Sequence, residues 1–172
     1  MNVHPIFVHF PIALLSTYGI LELIRFKKIT SQAYWFYIKA TLVILGTLAA
    51  YVAAEFGDIA KGLIVNSGNR TLISNHENWA QNSIIIFTII AVCYAIEWLN
   101  KATLTNFKSP TIIRIWNWLT KIQHWIIDTP VVIILAIAGV IAITITGSLG
   151  GTIVYGKGND PITDWIVSLI LK

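Results

Sequence analysis

Four apolar runs, at residues 5–24, 33–54, 79–99 and 130–149, constrain this chain more than anything else in it. Each has about the twenty residues that carry an α-helix across roughly 30 Å of hydrocarbon at about 1.5 Å per residue. Charged residues make up only 12% of the 172, against about 25% in a soluble domain. Lipid is therefore the solvent for most of the chain. Unpaired backbone groups are too costly there for irregular structure, so each run must be a helix. The expected fold is an all-α membrane protein: a four-transmembrane-helix antiparallel bundle plus a cytoplasmic-side amphipathic helix, one domain over residues 1–172.

The first run reads as a retained span rather than a cleaved signal, because basic residues follow it and no small-residue cleavage site appears. Eight of the twelve basic residues, among them Arg25, Lys39, Lys101 and Arg114, fall on one side of the spans. That asymmetry predicts both termini outside the cytoplasm, in a multi-pass protein of a bacterial plasma membrane. It also accounts for the net charge of +4 without invoking nucleic acid. The single cysteine, Cys93, excludes an internal disulfide, and the absence of Cys-x-x-Cys-His excludes covalent c-type haem.

Residues 111–127 carry a helical pattern of their own. Arg114, Asn117, Lys121, His124 and Asp128 recur every three or four positions, and Ile112, Ile115, Trp116, Leu119, Ile122 and Ile126 cover the opposite side. Such a helix lies flat on a bilayer surface with its tryptophans in the headgroup layer. Docking onto a partner subunit is the rival reading. Ahead of the third span, Ser74-Asn75-His76-Glu77 fits a capping box and puts His76 in the first helical turn.

The topology gathers possible ligands at one depth. His4 and His9, Glu55 and Asp58, and His76 and Glu77 fall at the outer ends of the first three spans. Residues 147–158, rich in glycine, leave the fourth. His4 and His9 are five residues apart, about 140° round a helix, so one ligand cannot easily take both. Pro11 removes a hydrogen bond and can kink the helix so that His9 tilts inward. His9 and His76 would then hold a b-type haem (haem b) from opposite faces for electron transfer. A second reading gives zinc or copper to His4, His9, His76 and Asp58 or Glu55. Gly150 and Gly151 either let backbone approach a flat cofactor, with Tyr155 and Lys157 at its acidic edge, or simply end the fourth span. A third reading is structural: a non-catalytic accessory subunit of a larger membrane complex. The other charges have local explanations: Glu22 with Arg25, Glu97 with Lys101, and Lys39 snorkelling to headgroups. No acid or base is expected near the bilayer centre, which weighs against an ion-coupled transporter. No nucleophile triad, phosphate loop or dinucleotide fingerprint appears, and whether the chain is an enzyme stays open.

HPIFVHFPIALL at 4–15, FGD at 56–58, His76 at a helix start and TGSLGGTIVYGKG at 146–158 together resemble domain-of-unknown-function family 2231, small four-span bacterial membrane proteins. The resemblance covers most of the chain. It implies no established activity. Some members are fused to, or encoded near, cytochrome-type domains, which implies respiratory or redox work at the outer face and cytochrome subunits as partners besides the lipid bilayer. The tryptophan-rich connection at 110–128 departs from the shorter loop the family leads one to expect.

Overall fold

The computed structural model describes residues 4–64, 70–105, 107–158 and 160–171, and the side chains of these except residues 4–6 and 62–64. The described residues form seven helices and no strand: α1 (His4–Leu23), α2 (Lys27–Thr30), α3 (Ala33–Ile64), α4 (Arg70–Lys101), α5 (Pro110–Ile127), α6 (Val131–Tyr155) and α7 (Pro161–Ile170). Three stretches are long and apolar enough to cross a membrane: Ala33–Lys61, Arg70–Lys101 and Val131–Tyr155. The described apolar part of α1, Phe7–Leu23, is shorter.

Helices α3 and α4 outrun their apolar runs. Most of the stretch 55–78, expected as a polar connection, is helical. No proline interrupts 55–64, and Ala60 is buried there, so the helix continues with one face still covered. Ser74 consequently lies inside α4, a turn past its start, and the expected capping box does not form. Glu77 meets Lys61 of α3 instead, at 2.6 Å.

Helix α1 packs most extensively on α3, and α4 on α6; lighter seams join α3 to α4 and α1 to α6. Contacts fix the registers. Along α1 and α3, Phe7 stacks on Phe56, Leu15 meets Gly46 and Glu22 meets Lys39. Along α3 and α4, Tyr37 meets Trp98, Tyr51 meets Thr88 and Lys61 meets Glu77. Along α4 and α6, His76 meets Thr146 and Phe87 meets Gly139. In each pair, residue numbers rise along one helix and fall along the other.

Missing side chains set the closeness of these pairs. A Cβ on Gly46 would stand 2.7 Å from Leu15, and one on Gly139 2.7 Å from Phe87. Backbones approach at small residues because apolar packing, not water exclusion, must hold helices together in lipid. The centre is aromatic: the Tyr18 ring lies edge-on to Phe87 and Tyr94 at 6.4 and 5.8 Å. Ile20, Leu45, Leu48, Ile85, Ile134 and Ile141 face outward, which suits a lipid surround.

Helix α5 matches its sequence pattern and has three faces. Gln123 and Ile126 are buried on the bundle, and the Trp116 indole N–H donates to Asn100 Oδ1 at 2.9 Å. Arg114, Asn117, Lys121 and His124 form an exposed polar stripe. Ile115, Trp118 and Trp125 form an exposed apolar edge beside it. At the far end of the bundle, α6 runs unbroken through Gly147, Gly150 and Gly151, so these glycines do not end it. The chain turns at Gly156 and Gly158, whose φ values of 81° and 91° suit glycine. Helix α7 then starts on Asp160, whose carboxylate accepts from the Ile162 N–H. It buries Val167 and leaves Ile162, Trp165 and Leu169 exposed.

Candidate functional site

The most organised polar group in the bundle is one the sequence pattern misses. Glu22, near the end of α1, is 1% exposed. Lys39 of α3 donates to both of its carboxylate oxygens, at 2.9 and 3.0 Å. The Tyr94 hydroxyl of α4 donates at 2.7 Å, and Arg25 stands 3.6 Å away. Two of these donors come from 17 and 72 residues along the chain, so no local spacing rule finds them. Lys39 does not snorkel outward as expected; its side chain is 12% exposed and its ammonium lies over the Tyr94 ring. Tyr18 is fully buried one turn deeper, its hydroxyl close to Glu22 and Tyr94 but without a well-aligned hydrogen bond among the described residues. An acid buried inside a membrane bundle is affordable only with such partners.

At the opposite end, His76 lies half-buried between α4 and α6. Its Nδ1–H donates to the Thr146 carbonyl at 2.9 Å, which fixes the imidazole tautomer and tethers the ring. The ring lies on Gly150, where a Cβ would stand 3.1 Å from Cε1. Beside it, Lys61, Arg70, Ile73, Ser74 and Glu77 line a cavity of about 230 Å³ at the ends of α3 and α4. The Lys61–Glu77 ion pair closes one wall of it.

Across residues 1–160 the chain matches the family described as predicted membrane protein (DUF2231). The chain belongs to DUF2231. Searches of curated proteins and of solved structures found no match. A membrane location follows from the family and from the three long apolar helices.

The structure does not place the expected pair, His9 and His76, on one iron. The buried stripe of α1 is Pro11, Leu15, Tyr18 and Glu22. His9 precedes Pro11 by two residues, about 200° round the helix, and is exposed. Pro11 sits inside a continuous helix, so it does not turn His9 inward. Haem held by His9 and His76 together does not fit this geometry. His4 is the first residue of α1, and its side chain lies outside the described residues.

The metal alternative is no better gathered. Asp58 and Glu55 are exposed on α3, and among the described residues no three His, Cys, Asp or Glu side chains converge. Gly150 serves His76, whereas a Cβ on Gly151 would meet nothing within 4 Å. Tyr155 is three-quarters exposed at the end of α6, and Lys157 is exposed in the turn after it. His124 points outward as expected and bonds Asp128 at 2.8 Å.

Proposed function

We propose that this DUF2231 chain is a non-catalytic accessory subunit of a bacterial plasma-membrane complex, built as an antiparallel bundle of four spans with both termini outside the cytoplasm. The opposed registers of α1, α3, α4 and α6 support the four-span reading, with α1 as the shortest span. The single observation that carries the functional reading is the engagement of Glu22 within the chain. Both of its oxygens accept from Lys39 and one also from Tyr94, with Arg25 adjacent. This buried polar group thereby ties three helices together. Helix α7 then offers the partner an outward aromatic edge, with Trp165 63% exposed.

A photo-crosslinking residue in place of Trp165, introduced into the full chain in native membranes, tests this. The expected result is one defined protein adduct, lost when the adjacent Ile162 becomes Asp. Lipid adducts alone would sink the subunit role. A second reading, that the buried acid handles protons, draws on the Tyr18 hydroxyl one turn deeper. Under that reading Glu22→Gln would abolish activity in the host while leaving the bundle as stable as before.

A further inference from the structure

We propose that the polar stripe of α5 is a binding site for the headgroup of an anionic phospholipid. Arg114 and Lys121 stand two turns apart on one face of α5, about 10.5 Å along the axis, with Asn117 between them. Among the described residues neither cation has a carboxylate partner, whereas His124, farther along the same face, is taken up by Asp128. Pro110, Ile113, Arg114, Asn117, Trp118 and Lys121 enclose a shallow cavity of about 490 Å³.

Charge complementarity calls for an anion, and the adjoining surface says which kind. The apolar edge of Ile115, Trp118 and Trp125 runs alongside the basic stripe, with Trp118 61% exposed. A free phosphate would use the cations and leave that edge uncovered. A phospholipid covers both, its phosphate on Arg114 and Lys121 and its chains along the edge. The site needs the membrane location of DUF2231 and is independent of the subunit role.

The test uses the full chain purified in a neutral detergent. Native mass spectrometry follows retained lipid during titration with phosphatidylglycerol and with phosphatidylcholine of the same acyl chains. Inorganic phosphate is the competitor. The expected result is selective retention of phosphatidylglycerol that phosphate does not displace. Arg114→Gln and Lys121→Gln, both at exposed positions, should each weaken it about fivefold, and Lys157→Gln at the other end of the bundle should not. Equal retention of the two lipids, displacement by phosphate, or wild-type binding by both α5 variants would overturn the proposal.

Discussion

Lys39 grips both carboxylate oxygens of Glu22 from the facing helix, at 2.9 and 3.0 Å. The pair joins the end of α1 to the start of α3, and the Tyr94 hydroxyl brings in α4. Either partner alone in this place would be a buried, unanswered charge. Their worth is therefore best read from what happens when one is removed.

Glu22→Gln should lower the stability of the detergent-purified protein by about 3–5 kcal/mol, because Lys39 is left charged and largely buried. Glu22→Met combined with Lys39→Met should cost far less, since apolar groups of similar volume replace both charges. A thermal or denaturant double-mutant cycle reads the difference. Equal losses in the single and double variants would show that the ion pair does not hold the bundle.

Gly139→Ala should destabilise by about 1–3 kcal/mol. The added Cβ meets the fully buried Phe87 ring at 2.7 Å, and that ring has nowhere to retreat. Gly151→Ala, about three turns nearer the end of the same helix, meets open space. It should be neutral, or stabilise by up to about 1 kcal/mol through helix propensity. Melting temperatures of the two variants, measured side by side, test the contrast.

Haem absorption offers a direct check on the histidines. Because His9 faces out of the bundle, no reduced-minus-oxidised band should depend on both residues. His9→Ala should match the wild-type spectrum. Bands lost equally in His9→Ala and His76→Ala, from protein made with ample haem, would contradict the outward placement of His9.

Acid should loosen α7. The Asp160 carboxyl is held below the usual aspartate range by hydrogen bonds from the Thr163 hydroxyl and the Ile162 N–H. A carboxyl depressed on folding contributes fully above its unfolded value, about 3.9, and the contribution fades as pH falls through the lower folded value. Protection of the α7 amides from exchange, relative to their intrinsic rates, should therefore be constant near neutrality and fall in strong acid. Asp160→Ala should lower it at neutral pH and abolish the acid loss. A pH-independent protection pattern in the wild type would refute this role.

The sequence pattern renders the parts that depend on neighbours a few positions away. The apolar runs reappear as the cores of α1, α3, α4 and α6, and the three-to-four spacing of Arg114 through Asp128 reappears as α5. The Glu97–Lys101 pair also forms where its spacing places it, at 2.9 Å. What the pattern misses is set by distant neighbours. Ser74 and Glu77 have the spacing of a cap, but α4 is already under way at Arg70 and Lys61 claims Glu77. Arg25 does approach Glu22 as expected, yet the closer partners come from other helices. His9 shows the same limit. Its position in α1 is legible, but the face it presents depends on which helices pack against α1.

The two tight helix pairs, α1 on α3 and α4 on α6, carry a consequence for biogenesis. A chain emerging from the ribosome delivers α1 and α3 first. Glu22 and Lys39 can neutralise each other as soon as that hairpin enters the bilayer, before Tyr94 follows it. The charge that would most resist insertion is thus cancelled within the first half of the chain. The second hairpin then closes along the lighter seam, where the Tyr94 hydroxyl finds a carboxylate already in place.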